Sequence, residues 1–219
     1  MREVRRSTSK LAPGGEPIVF VIDDDRDMRE GLKELFESVG LRAEIFATPT
    51  ELLERSASIA PSCLVLDVRL PQLSGFDLQA ELSRRGITVP IVFITGHGDI
   101  PMSVTAMKAG AVDFLTKPFR EQELLDAVTR ALERDQKRRD EERSNADLQA
   151  RLASLTPRER ETMALVTGGL MNKQVAAELG ITEMTVKIHR GNVMRKMQAR
   201  SLAELVLIAE KLGVRGRDH

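Results

Sequence analysis

Cysteine is almost missing from this 219-residue chain: the one thiol, Cys63, sits in the apolar run Cys63-Leu64-Val65-Leu66 and has no partner for an internal disulfide. It reads as a small buried side chain in a reducing compartment. No stretch of 18 consecutive apolar residues occurs, which excludes a membrane-spanning helix, and the basic start with Arg2, Arg5, Arg6 and Lys10 is followed by no apolar segment of signal-peptide length. A soluble, cytoplasmic protein with a frayed basic tail over 1–16 is expected. Glycine and proline are absent from Glu121 to Leu155. That excludes a flexible linker of the Gly/Ser kind there and predicts a stiff helical segment.

Net charge is also lacking, but the zero conceals an asymmetry. Residues 17–135 carry 13 Lys and Arg against 20 Asp and Glu, a balance of −7, while residues 154–219 carry 11 against 7, a balance of +4. With 42% apolar content the chain can build two small cores. An acidic front half suits a cation site and a basic back half a polyanionic partner, although solvated surfaces also show such imbalances.

The front half alternates two periods. Strand-length apolar runs occur at Ile18 to Ile22, Cys63 to Leu66 and Pro90 to Ile94, with weaker ones at Arg42 to Phe46 and Val112 to Leu115. Helix-period segments lie between them: Met28, Leu32, Leu35, Phe36 and Val39 closed by Gly40; one opened by the capping box Thr48 to Glu51; Gly75 to Arg85; Pro101 to Ala109; and a fifth from near Arg120. Five such alternations predict a parallel sheet covered by helices on both faces, with ligands beyond the carboxyl ends of the strands. Asp23, Asp24, Asp67, Thr95 and Lys117 all fall at those ends. Carboxylates gathered there can hold a hard cation, leaving one as nucleophile and a lysine to meet phosphoryl charge. Singly, each has a plainer reading as a cap, a turn residue or core. Asp25 is expected to cap the first helix, and His97 has no second ligand nearby that would make a metal site.

Behind Leu124, Leu125, Val128 and Leu132 comes a charge run from Arg134 to Arg143, after which Leu148, Leu152 and Leu155 resume. This predicts one long or twice-broken helix with charge on every face in its middle; a coiled coil would need the seam that this run interrupts. The rest is helical throughout. Thr156-Pro157-Arg158-Glu159 is a capping box, Asn172 is expected to cap a short helix ending at Gly180, Thr182 the next, to about Gln198, and Ser201 a last one to Leu212. Short helix, Gly turn and longer helix have helix-turn-helix spacing, which a small four-helix bundle would share. On the longer helix Val186, Val193 and Met197 share one face, while Lys187, Ile188, Gly191, Asn192 and Arg195 point away from it. Those types suit phosphates and base edges; His189 lies nearer the buried flank.

Val21-Ile22-Asp23-Asp24, Leu66 to Pro71 with Gly75, Ile94-Thr95-Gly96-His97-Gly98-Asp99 and Phe114 to Phe119 resemble the receiver domain of bacterial response regulators, over about 17–135. The stretch from Thr95 to Met102 with Gly110 to Asp113 is similar to the FixJ branch. Leu155 to Glu159, Val175 to Gly180 and Thr185 to Arg190 resemble the LuxR-type DNA-binding domain, over about 150–213. The resemblance implies a flavodoxin-like receiver with five parallel strands in the order 2-1-3-4-5, joined by a helical linker to an all-α helix-turn-helix domain. It implies Asp67 as phosphoacceptor, Asp23, Asp24, Asp67 and the Arg69 carbonyl as Mg²⁺ ligands, Lys117 as the phosphoryl-binding lysine, Thr95 and Phe114 as switch residues, and a cis peptide before Pro118. The expected domains are a tail over 1–16, the receiver over 17–135, the linker over 136–153, the DNA-binding domain over 154–213 and a tail over 214–219.

The function expected is a transcription regulator that accepts a phosphoryl group from a sensor histidine kinase, dimerises and binds double-stranded DNA, with RNA polymerase as a further partner. It is not an enzyme beyond its own phosphorylation and dephosphorylation. A haloacid-dehalogenase-like phosphatase would need a general acid where Arg69 stands, and an adaptor whose back half binds protein or RNA is the other rival.

Overall fold

The computed structural model describes residues 15–55, 60–71, 73–96, 98 and 100–214. The tail expected over 1–16 falls outside them up to residue 14, as do His97 and all but the first residue of the tail over 214–219. The chain divides into two compact units between Arg139 and Asp140.

In the first unit β1 (Ile18–Ile22), β2 (Arg42–Phe46), β3 (Ser62–Asp67), β4 (Ile91–Thr95) and β5 (Asp113–Thr116) form one parallel sheet in the order β2-β1-β3-β4-β5. The connections are α1 (Arg26–Ser38), α2 (Pro49–Glu54), α3 (Gly75–Arg84) and α4 (Ile100–Lys108). Every residue of β1, β3 and β4 is buried, as a parallel sheet covered on both faces requires. Alternate side chains divide between two cores. Val19, Val21, Cys63 and Val65 pack with Leu32 and Phe36 of α1 and with Leu124 and Val128. Phe20, Ile22, Leu64 and Leu66 pack with Leu78 and Leu82 of α3 and with Ala106. Cys63 therefore lies deep in the first core, and burial pushes its thiol pKa up, as expected of an inert cysteine.

Helix α5 (Glu121–Ala153) is one continuous element of 33 residues, settling the choice between a long and a broken helix. Its inward stripe of Leu124, Ala127, Val128, Ala131 and Leu132 continues, inside the run with charge on every face, into the fully buried Asp135. That carboxylate accepts bonds from the Ser62 N–H at 2.8 Å, from Arg138 Nη2 at 2.6 Å and from Arg139 Nε at 2.6 Å.

In the second unit α6 (Pro157–Thr167), α7 (Asn172–Leu179), α8 (Glu183–Met197) and α9 (Leu202–Lys211) enclose Met163, Val193, Met197 and Leu205, with Val166, Val175 and Val186 beside them. Thr156, Thr182 and Ser201 cap their helices through their hydroxyls. Asn172 does not: it is the first residue of α7, and the cap position is Met171, whose N–H donates to Gln174 Oε1 at 2.8 Å. Asn172 Oδ1 instead accepts from Arg190 Nη1 at 2.6 Å, so it fastens α8 to α7.

Candidate functional site

The register of the sheet brings the strand ends together. Asp67 ends β3, Thr95 ends β4, Asp23 follows β1 and Lys117 follows β5, with the Lys117 N–H on the Thr95 carbonyl at 2.7 Å. The Lys117 ammonium lies 2.6 Å from Asp23 Oδ2 and 2.6 Å from Asp67 Oδ2, bridging two buried carboxylates. Their other oxygens accept backbone N–H groups, Asp23 Oδ1 from Asp25 at 2.9 Å and Asp67 Oδ1 from Arg69 at 2.8 Å. Burial raises the Asp23 pKa more than the bonds from Lys117 and Asp25 lower it. Burial works against the Lys117 charge, yet its bonds to Asp23 and Asp67 outweigh this and its pKa goes up. The peptide bond between Lys117 and Pro118 is cis.

Asp23, Asp24 and Asp67 each offer a carboxylate oxygen within 4.8 Å of the others. Three carboxylates against one ammonium leave an excess of negative charge, and an all-oxygen donor set suits a hard divalent cation such as Mg²⁺. Asp25 does not join them, because its carboxylate caps α1 at the N–H groups of Asp27 and Met28. Arg69 has its N–H on Asp67 and its side chain exposed.

Thr95 is buried and Phe114 half-buried, its ring 6.4 Å from that of Phe93 between centroids. A Cβ added to Gly98 would stand 2.6 Å from Thr116 Cγ2, 2.9 Å from Phe114 Cε1 and 3.2 Å from Thr95 Cγ2. The backbone after β4 therefore rests on both Thr95 and Phe114.

In the second unit the four cations of α8 divide by role. Arg190 is held by Asn172, while the Lys196 ammonium donates to Glu159 Oε2 at 2.6 Å and to the Ser154 carbonyl at 3.1 Å. Lys187 and Arg195 lie exposed with Ile188 and Gly191, and Asn192, half-buried, accepts from Arg195 Nη2 at 3.4 Å. The expected outer face is thus present as a set, apart from Val186, Val193 and Met197, which are buried.

Residues 19–129 match the response regulator receiver domain, and residues 153–209 match the bacterial regulatory proteins of the luxR family. The chain is a response regulator. It combines a receiver with a LuxR-type DNA-binding domain and so belongs to the transcriptional regulators. It is 60% identical over 197 residues to nodulation protein W of Bradyrhizobium diazoefficiens, covering 90% of this chain and 87% of that one. With the response regulator protein TodT of Pseudomonas putida it shares 47% over 199 residues, covering 89% and 86%. Among solved structures, the response regulator StyR matches with a TM-score of 0.84 at 50% identity, covering 90% of this chain and all of that one. Full-length FixJ from B. japonicum matches with a TM-score of 0.53 at 40% identity, over 90% and 97%.

Sequence reasoning passed over Arg29 and saw only part of what Gly75 and Glu159 do. Arg29 Nη1 donates to the carbonyls of Asp23 at 2.7 Å and Asp24 at 3.0 Å, pinning the acidic loop; its place one helical turn after Asp25 was the available signal. Gly75 lets α3 begin against β3, since a Cβ there would stand 2.5 Å from the Asp67 carbonyl oxygen. Glu159, expected only as the partner in the capping box, also takes the Lys196 ammonium.

That bond, with the Thr156 N–H behind it, holds the Glu159 carboxyl down at about 2, against the usual 4.5. A depressed folded value means that the stabilisation is complete above pH 4.5 and is lost as the pH falls toward 2. Glu159→Gln is expected to weaken the regulator by about 1.5–3 kcal/mol at pH 7, as for a hydrogen bond between charged groups. The gap to wild type should close between pH 4.5 and 2. Urea titrations followed by circular dichroism across that range would show it, and a gap independent of pH would reject the assignment.

Proposed function

We propose that the regulator accepts a phosphoryl group on Asp67 from the phosphohistidine of a sensor kinase, and that this drives dimerisation and binding to double-stranded DNA. The observation that carries this reading is the Lys117 ammonium 2.6 Å from both Asp23 and Asp67 at the carboxyl edge of a parallel sheet. A carboxylate oxygen of Asp67 forms the new O–P bond while the donor's N–P bond breaks and its imidazole leaves. Lys117 has its charge against Asp67 before the donor arrives, so it opposes the negative charge that gathers on the phosphoryl oxygens. Asp23, Asp24, Asp67 and the Arg69 carbonyl would hold Mg²⁺. Bound there, the ion supplies charge neutralisation between donor and acceptor oxygens.

The modified Asp67 presents an anion within reach of the Thr95 hydroxyl. Movement of Thr95 releases the space into which Phe114 turns, and the Gly98 backbone, resting on both, moves with them. The division of labour is a receiver over 17–135, a helical linker over 136–153 and a DNA-binding domain over 154–213, at work in the cytoplasm with RNA polymerase as a later partner. The receiver promotes only its own phosphorylation and dephosphorylation. Lys187, Ile188, Gly191, Asn192 and Arg195 form the DNA face, and two-fold symmetry of the dimer calls for half-sites about one helical turn apart.

The deciding experiment is the intact mass of the protein after incubation with a small phosphodonor, with and without Mg²⁺, followed by peptide mapping. One added phosphoryl group, dependent on Mg²⁺ and mapped to Asp67, is expected. No adduct even with a histidine kinase as donor, or an adduct elsewhere, would sink the reading. On the DNA side, Lys187→Ala is expected to weaken duplex binding by about tenfold, because an exposed cation on the helix is lost. Anisotropy titrations at fixed salt measure this, and unchanged affinity would remove Lys187 from the interface.

A further inference from the structure

Two large apolar side chains stand in water on the helix proposed to meet DNA. Met184 is 66% exposed and Ile188 57%. With the buried Val186, Val193 and Met197 taken as the inward direction, Met184, Ile188, Gly191 and Arg195 lie within about 40° of the opposite direction at 100° per residue. They form one line along the crest of α8, apolar at its N-terminal end and cationic at its C-terminal end. Gly191 adds no bulk to that line, and nothing lies within 4 Å of where its Cβ would be. The crest is therefore free to approach a surface closely at its middle.

Resting on the reading of α8 as the DNA-reading helix, we infer that Met184 and Ile188 read thymine through its 5-methyl group in the major groove. Lys187 and Arg195 supply charge complementary to the duplex, which commits the crest to DNA rather than to an apolar protein surface. Ile188 has no group that can pair with donors or acceptors on base edges, and Met184 has only a weakly accepting thioether. Thymine alone among the four bases offers an apolar group in the major groove. The unbranched thioether of Met184 adapts its shape to a methyl, while the branched Ile188 presents a fixed one. One helical turn separates the two, about 6 Å along the axis. Base steps are about 3.4 Å apart, so the two methyls belong to thymines roughly two steps apart in one half-site.

The test uses the full chain, treated with a small phosphodonor, to enrich duplexes from a randomised pool. An enriched duplex is then compared with a copy carrying deoxyuridine in place of thymine. Each methyl withdrawn from an apolar contact is expected to weaken binding about fourfold, and the dimer meets two in each of its two half-sites, so the copy should bind about 250-fold more weakly than its parent. This arm uses unaltered protein and depends on no variant folding. Met184→Ala should reduce the discrimination to about fifteenfold and the double variant with Ile188→Ala should abolish it, with the salt dependence of binding unchanged. Enriched duplexes bound equally with uracil and thymine, or full discrimination in the double variant, would overturn the inference alone. A protein that enriches no duplex would overturn the DNA-binding reading and the inference with it. Loss of self-association in the double variant, with discrimination intact, would reassign the crest to a second copy of the chain.

Discussion

Lys117→Met is expected to lose at least about a hundredfold in the rate of phosphoryl uptake, the loss typical for removal of one preorganised charge donor. It should also lower stability by about 3 kcal/mol in chelator-treated buffer. The wild-type ammonium bridges Asp23 and Asp67 at 2.6 Å each, and both carboxylates are buried. Removing one partner of such a group leaves charge without a counterion, which costs far more than an exposed ion pair contributes. The same excess of negative charge should make the variant bind divalent cations more profitably than wild type. A ligand that binds only the folded state at a hundred times its Kd stabilises by about 2.7 kcal/mol, so saturating Mg²⁺ should recover most of the loss. Phosphoryl uptake should not recover, because the ion replaces the charge of Lys117 but not its position at the phosphoryl oxygens. The chain contains no Trp or Tyr, so unfolding must be followed by circular dichroism or calorimetry instead of intrinsic fluorescence. A variant as stable as wild type in chelator, or one that takes up phosphoryl normally, would show that Lys117 has neither role.

The strand ends were legible in the sequence because the chemistry and the topology point to one place. Alternating strand and helix periods demand a parallel sheet, and such a sheet gathers the residues after its strands at one edge. Asp23, Asp67, Thr95 and Lys117 needed only that rule. Thr48, Thr156 and Thr182 were legible as caps because a hydroxyl before a helix and the N–H it accepts are neighbours in the chain. Asn172 shows where local reasoning ends. It has the right chemistry for a cap, but Gln174 satisfies the Met171 N–H and frees Asn172 for Arg190, 18 residues away. Lys196 is similar: on its own helix it is one more cation, and only the packing of α6 against α8 turns it to Glu159. Gly98 and Met184 were missed for a different reason. The role of each depends on what surrounds it, the crowded Phe114 and Thr116 in one case and open water in the other, and neither carries a pattern in sequence.

Asp135 is the residue whose environment was least legible, and Asp135→Ala is expected to destabilise the receiver by about 3 kcal/mol. In sequence it is one acid in a run of charges. In the fold it is 0% exposed and receives the Ser62 N–H, Arg138 and Arg139. The two arginine side chains are 27% and 20% exposed and can turn to water when the carboxylate is gone, which limits their share of the loss. The Ser62 N–H has no such escape, since Ser62 is buried at the start of β3 and its donor would be left unsatisfied. Three kcal/mol corresponds to a fall in the melting temperature of the receiver of about 12 °C, for a unit of roughly 120 residues. Asp135→Asn can keep an acceptor for Ser62 while losing the charge, so it should fall between wild type and Asp135→Ala. Asp67 lies at the far end of the same strand, so the rate of phosphoryl uptake by folded Asp135→Ala should match wild type. That separates this anchor from the acidic site, where Lys117→Met affects stability and chemistry together. An Asp135→Ala variant within about 0.5 kcal/mol of wild type, as for an ordinary surface substitution, would mean that the buried carboxylate adds nothing to the join between α5 and β3.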